Sequence, residues 1–533
     1  MGPCAGLSSN AHDACSGRAN GTTIRVRKRR EGSIDVFLGS LISVLQWPTS
    51  GLLLLGVAIG FVVGILPGLG GAVTLALMLP FIYDMDPIPA FAFLLGMHAV
   101  VATTGDITSV LFGIPGEATT VATILDGHPM AQRGEAGRAL GAVLFSSLVG
   151  AIIGAAVLAL SVPVMRPLVL AFGPPEFLML TVLGLTFIVA LSSGNMLKGF
   201  LMALLGLVAS MVGLDPFAGR PRFTFGQLYL WDGLNIVPVV IGLFAIAETL
   251  QLMTTRTSIA HTIGAAPITR VMEGVIDTFR HWWLTLRCSL IGVFIGIIPG
   301  MGGATAQFIA YAHAQQTSKH PEEFGKGSIE GVLAAGSVNN SKEGGSIIPT
   351  VAFGVPGSTS TAILLGAFLI LGLVPGPDML TKHLAVTFSM VWVIVLSNVV
   401  AVALSFVLLK QLVKLTFVKG TWLVPFLLLL VSIGAFTTHN DLLDIVVMLV
   451  FGAVGWAALR WDWPRAPFLL AFVLGHTAER YLFLSHQLYE WAWLGRPAVL
   501  ALIALSLGGL VYSLKRRRYS AEVAPPGAAG VAA

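Results

Sequence analysis

Five stretches of the chain contain no Asp, Glu, Lys or Arg: Val36 to Tyr83, Ala139 to Met165, Cys288 to Ser318, Gly344 to Pro377 and Leu384 to Leu409. Each exceeds the roughly 20 residues with which an α-helix crosses the hydrocarbon of a bilayer. Further apolar runs lie near 177–193, 199–214, 233–250, 421–438, 442–459, 466–478 and 497–514. The pattern predicts an all-α polytopic membrane protein of about 12 transmembrane helices.

The apolar tracts are not independent of one another. Gly60 to Ala72 reads GFVVGILPGLGGA and Gly292 to Ala304 reads GVFIGIIPGMGGA, with eight of thirteen positions identical. Downstream of each, a second signature recurs, FGIPG at 112–116 and FGVPG at 353–357, followed by small hydroxyl residues. Two internal repeats, roughly 50–165 and 282–405, are therefore expected, and inverted topology is the preferred arrangement. The Pro of each motif lacks an N–H and its Gly residues loosen the backbone, so the helices should break into hairpin-like segments there. In lipid such breaks persist only where protein or a water-filled cavity satisfies the freed groups. One such motif is an ordinary packing kink, but two in the same order in both halves point to a solute site near the bilayer midplane. The loop and hinge candidates are Pro67, Gly68, Gly70, Gly71, Pro115 and Gly116 in the first half, and Pro299, Gly300, Gly302, Gly303, Pro356 and Gly357 in the second.

Composition agrees with this reading: 55% of the 533 residues are hydrophobic and 11% charged, against about 25% charged in soluble domains. The net charge of +5 does not indicate nucleic acid, because the basic residues flank apolar spans as the positive-inside rule requires. Five segments are expected: a basic cytoplasmic tail at 1–33, the first repeat with its following spans at 34–253, a cytoplasmic linker at 254–287, the second repeat with its spans at 288–514, and a basic tail at 515–533. With Arg25 to Arg30 before the first span and Lys515 to Arg518 after the last, both termini are expected in the cytoplasm and the span count even. The three cysteines have no metal or redox spacing.

The chain carries no Walker A, H-E-x-x-H or G-x-S-x-G motif, so ATP hydrolysis and an intramembrane hydrolase lose ground and no catalytic residue is expected. An ion channel, the other alternative, should show a filter repeated by oligomeric symmetry instead of two unlike half-sites in one chain. The repeat regions supply hydroxyls, amides and helix N-termini, which hold a carboxylate without a fixed cation. Thr104, Asp106, Thr119, Asn339, Asn340, Ser358 and Thr359 are the candidate solute-binding residues. Asp106, Glu117 and the Lys342-Glu343 pair are the ionisable groups placed to couple transport to a proton or Na⁺ gradient. No metal site or cofactor is expected beyond Na⁺ as a coupling ion. His98, in an apolar span, reads as a packing residue.

At these motifs the chain resembles the tripartite tricarboxylate transporter family, specifically its large membrane subunit, TctA. The resemblance is carried by GILPGLGGAVTLALMLPF (64–81), FGIPGEATTVATILDGHPMAQRGEAGRALG (112–141), DGLNIVPVVIGLFAIAE (232–248), GIIPGMGGATAQF (296–308) and NNSKEGGSIIPTVAFGVPGSTSTAILLG (339–366), within an overall span of about 34–514. It implies a multi-pass permease of a bacterial inner membrane that imports small organic carboxylates on an ion gradient. The implied partners are a four-span, TctB-like membrane subunit and a periplasmic, TctC-like solute-binding protein. This sequence departs from the family pattern at Thr103-Thr104-Gly105-Asp106 and at Ala335-Gly336, so the resemblance carries over neither the ion nor the solute.

Overall fold

The structure is a computed structural model that describes residues 33–65, 70–191, 196–215, 217, 219–254, 269–415, 423–438 and 440–523. Pro67, Gly68, most of the first tail, the middle of the linker and the last ten residues lie outside them. The chain begins with α1 (Ser33–Leu45), α2 (Thr49–Gly64), α3 (Gly71–Met78), α4 (Pro87–Phe112), α5 (Val121–Gln132) and α6 (Ala136–Ala171). Then come α7 (Pro174–Leu191), α8 (Met196–Ser210), a short hairpin pairing Gly213 with Arg222, α9 (Ile236–Val240), a π-helical segment (Ile241–Ile246) and α10 (Ala247–Thr254). A second series takes up the order of the first: α11 (Val271–Arg280), α12 (Trp282–Ile297), α13 (Gly302–Thr317), α14 (Ile329–Phe353), α15 (Thr359–Ile370) and α16 (Leu384–Leu415). It is followed by α17 (Leu423–Phe436), α18 (Leu442–Arg460), α19 (Ala466–Tyr489) and α20 (Pro497–Val523).

Glycines set the closest helix contacts. Gly56, Gly60 and Gly64 fall at every fourth position of α2, so they share one face, and a Cβ on them would strike Phe93, Met97 and Thr104 of α4 in turn. Gly292 and Gly296 do the same for α12 against Val338 to Lys342 of α14. Small residues spaced by four let helix backbones meet where no hydrophobic drive separates protein from lipid. The register rises together on both helices, so α2 and α4 run parallel. The chain must therefore double back through α3 before α4 begins, and Trp47 and Pro48 do stand beside Pro87 and Pro89.

α6 and α14 also run in one direction, with Gly150 on Ser337 and Gly154 on Ser341. By contrast α4 and α14 are antiparallel where they meet: His98 faces Glu343, and Ala102 faces Asn339. Both of these long helices end on a glycine in the left-handed region, Gly113 at φ 66° and Gly354 at φ 69°, a conformation that other residues adopt only with strain.

Among the described residues four helices are long and apolar enough to span a membrane alone (Pro87–Phe112, Ala136–Ala171, Leu384–Leu409 and Leu442–Arg460), or five with the α1–α2 pair, which is bent by 68°. The other apolar tracts form shorter helices of 10–17 residues, Gly71–Ile82, Pro174–Phe187, Met196–Ser210, Ile236–Gln251, Trp282–Ile297, Thr359–Ile370 and Pro497–Val511 among them. α1 runs alongside α16, with Phe37 against Phe388 and Trp392, and ends beside the start of α4. α20 starts at Arg496 beside Glu176 and follows α7 upward, with Gly509 beside Phe187, to the end where α11 packs on Arg138.

Candidate functional site

A cavity of about 640 Å³ opens where the broken segments converge, lined by residues 70–73, 115–117, 119, 300–305 and 358–360 together with Lys342, Phe244, Glu248 and 464–467. Gly70 and Gly71, from the first glycine motif, thus share one wall with Gly300 to Gly303 of the second. Gly300 N–H donates to the Gly357 carbonyl at 3.2 Å, tying the tip of one hairpin to the loop after α14. Gly302, at φ 69°, makes the turn from which α13 departs, a turn that a side chain would strain.

Five helical segments begin at this cavity. Their N-cap residues are Gly70 for α3, Glu117 for the turn leading into α5, Met301 for α13, Ser358 for α15 and Arg465 for α19. The first N–H groups of a helix have no intrahelical acceptor, and the macrodipole makes that end positive. Glu117 and Ser358 occupy corresponding places, each in a capping box closed by a threonine three residues on, Thr120 and Thr361. Ser358 Oγ accepts from Thr361 N–H at 3.2 Å.

Among the described residues the basic side chains in the wall are Lys342 and Arg465. The Lys342 ammonium is paired with Glu343. Arg465 donates from Nη2 to Glu248 Oε1 at 2.6 Å and from Nη1 to the Leu243 carbonyl at 3.1 Å, and it lies over the Phe244 ring. Leu243 belongs to the π-helical segment, whose wider turn dislocates carbonyls from their usual acceptors. Two polar atoms of the wall are buried without a hydrogen-bond partner among the described residues, Glu117 Oε2 and Thr119 Oγ1. The helix N-termini, the two cations and the Thr119 hydroxyl supply donors for an anion of several oxygens, in a volume typical of small-molecule sites, while the carboxylates of Glu117 and Glu248 share the same wall.

The structure divides the residues that the sequence singled out. Glu117, Thr119, Lys342, Ser358 and Thr359 line the cavity with Gly70, Gly71, Pro115, Gly116, Gly300, Gly302 and Gly303. Thr104, Asp106, Asn339 and Asn340 are fully buried in the seam between α4 and α14 and do not reach the wall. Asp106 accepts from Thr123 Oγ1 at 2.7 Å and from Asn339 Nδ2 at 2.7 Å, and Asn339 Nδ2 also reaches the Ala102 carbonyl. Asn340 Nδ2 lies within 2.8 Å of Thr103 Oγ1, Ser147 Oγ and Asn398 Oδ1. Thr104 hydroxyl donates to the Val100 carbonyl, against Gly64. Among the described residues no group of three or more His, Cys, Asp and Glu is placed to hold a metal.

Arg465 was missed in the sequence. Its signal is Trp463-Pro464-Arg465-Ala466-Pro467, a cation between two prolines before an apolar run, which reads equally as a span end. Its partner is Glu248. His98 is not a plain packing residue, since its Nε2 stands 3.2 Å from Glu343 Oε1.

Comparison with known proteins agrees with the sequence motifs. A family model described as Tripartite tricarboxylate transporter TctA family matches residues 51–470. An Agrobacterium vitis protein, the "Uncharacterized 52.8 kDa protein in TAR-I ttuC' 3'region", is 31% identical over 86% of this chain and 92% of its own length. A second from the same organism, the "Uncharacterized protein in TAR-II ttuC' 3'region", is 34% identical over 36% of this chain and 79% of its own. No solved structure matches.

Proposed function

We propose that this chain, which belongs to the tripartite tricarboxylate transporter TctA family, is the permease subunit that moves small organic di- or tricarboxylates through the cavity at its broken helices. The family is one of transporters and not of enzymes, and the apolar helices make the chain a multi-pass membrane protein. The observation that carries the substrate class is the convergence of five helix N-termini with Arg465 and Lys342 on one cavity. Such ends bind carboxylates through backbone N–H groups, and broken helices supply them at the midplane of other transporters.

The two series of helices serve as inverted halves of an internal duplication, which the antiparallel contact of α4 with α14 supports. Short helices paired across the breaks bring the total towards a dozen membrane segments. The end of the bundle at α11, with Arg133, Arg138, Arg270 and Arg280, faces the cytoplasm of a bacterial inner membrane. The end at α1, with Asp35, Asp84, Asp86 and Asp378, faces outward. A TctC-like binding protein delivers solute to that outer face, and a TctB-like subunit completes the complex. A proton or Na⁺ gradient supplies the energy.

The test is uptake of labelled citrate, tartrate and terephthalate into proteoliposomes holding the chain with its membrane partner and binding protein, with and without imposed proton or Na⁺ gradients. Gradient-driven accumulation of any of these supports the reading. Failure to transport all three, in vesicles where the complex is intact, would overturn the substrate class.

A further inference from the structure

We propose that His98 is the residue that binds the coupled proton, and that Glu343 and Lys342 connect its protonation to the solute. The inference rests on the carboxylate reading above and adds the ion and its site. The three side chains form a buried row, exposed by 1%, 3% and 6% for His98, Glu343 and Lys342. His98 comes from α4 and the other two from α14, so the row bridges the two halves. At one end Lys342 lines the cavity, its stem against Gly303 at the start of α13. At the other, both ring nitrogens of His98 lack a hydrogen-bond partner among the described residues: Nε2 stands at ion-pair distance, 3.2 Å, from Glu343 Oε1, and Nδ1 points to Gly71 in the cavity wall, 2.6 Å from where a Cβ there would stand. The charged groups that face His98 are Glu343, Lys342 and Glu117.

Charge accounting gives the mechanism. With the cavity empty, Glu343 is balanced by the Lys342 ammonium. A solute carboxylate in the cavity competes for that ammonium. If Lys342 turns to the solute, Glu343 is left buried without a cation, which is strongly unfavourable in a low-dielectric interior. A proton taken from cavity water onto His98 Nδ1 removes that penalty. The new N–H bond forms on the ring, hydronium gives up the proton and becomes water, and the imidazolium keeps Nε2–H directed at Glu343. Solute and proton therefore raise each other's affinity. Once the site opens to the other side, loss of the solute returns Lys342 to Glu343 and expels the proton.

The test is calorimetric titration of the full chain in nanodiscs with citrate, tartrate and terephthalate, in two buffers of different ionisation heat near neutral pH. The wild type should take up about one proton per anion bound. His98→Gln should abolish that uptake and flatten the pH dependence of affinity between about pH 6 and 8, with anion affinity reduced about tenfold. Glu343→Gln should also abolish proton uptake yet tighten anion binding, because Lys342 is released. A role in packing alone would not produce these opposite effects on affinity. Proton uptake that survives in either variant, or anion binding that requires Na⁺ and takes up no proton, overturns the inference while the carboxylate reading stands. If none of the three anions binds the wild type, both fall.

Discussion

Asn339 donates its side-chain amide to the Asp106 carboxylate at 2.7 Å, joining α14 to α4 at a point where neither residue reaches the cavity. The second carboxylate oxygen is taken by Thr123 of α5. Three helices from both halves are thus fastened by one carboxylate, and Asn340 fastens α4, α6 and α16 one residue further on. Buried polar networks of this kind hold a single register while every member is satisfied, and are costly once one is removed.

The first prediction follows directly. Asn339→Leu should destabilise the chain by about 1–3 kcal/mol, because Asp106 loses a buried donor. Thermal unfolding of the detergent-solubilised protein should show a lowered transition. Variants that still fold should bind citrate with nearly unchanged affinity, since the seam does not contact the solute. Unchanged stability together with lost binding would instead put Asn339 at the solute.

The seam also shows how far the sequence could be read. The broken loops were legible because Pro and Gly inside charge-free tracts have one structural consequence; Glu117, Thr119, Ser358 and Thr359 follow from adjacency to those breaks, and Lys342 from the cost of placing an ionisable group in an apolar helix. Asn339 and Asn340 were not separable from them. A polar residue in a membrane helix faces protein rather than lipid, but whether it faces a cavity or another helix depends on which helix packs beside it. That choice rests on tertiary contacts such as Gly154 against Ser341, which no local pattern reveals.

Arg465 should contribute strongly to anion binding. Its guanidinium is already oriented by Glu248 and the Leu243 carbonyl, so little ordering remains to be done when a carboxylate arrives. Arg465→Ala should raise the KM for citrate uptake by about tenfold or more, the value of one charge-assisted hydrogen bond. Arg465→Lys should recover only part of the loss, since an ammonium cannot serve Glu248, the carbonyl and a solute in one plane. Initial-rate measurements in proteoliposomes decide this, and a KM unaffected by either change would remove Arg465 from the site.

Asp126 provides a control outside the cavity. Its Oδ1 accepts from the N–H groups of Gly327 and Ser328 at the start of α14, and its Oδ2 accepts from the Tyr311 hydroxyl of α13 at 2.7 Å. Asp126→Ala orphans three donors and should lower stability by about 2 kcal/mol or more. Asp126→Asn keeps the backbone acceptor and lets the Tyr311 hydroxyl reverse its role, so its cost should be less than half as large. Thermal unfolding of both variants side by side tests this, and equal losses would contradict the bonding assigned to Oδ1.

The inverted arrangement makes a prediction that transport assays cannot. Lys326 lies in the loop between α13 and α14, and Lys382 in the loop before α16; both are exposed. If α14 descends from the face that carries Arg270 and Arg280, Lys326 shares that cytoplasmic face, while Lys382 emerges at the opposite one beside the start of α4. The basic residues near α11 and the acidic ones near α1 favour this orientation over its reverse. In a chain with Cys4, Cys15 and Cys288 replaced, Lys382→Cys should react with a membrane-impermeant thiol reagent added outside intact cells. Lys326→Cys should react only after permeabilisation. Labelling of both from the same side would refute the antiparallel course of α14 through the membrane, and with it the pairing of the two halves around one site.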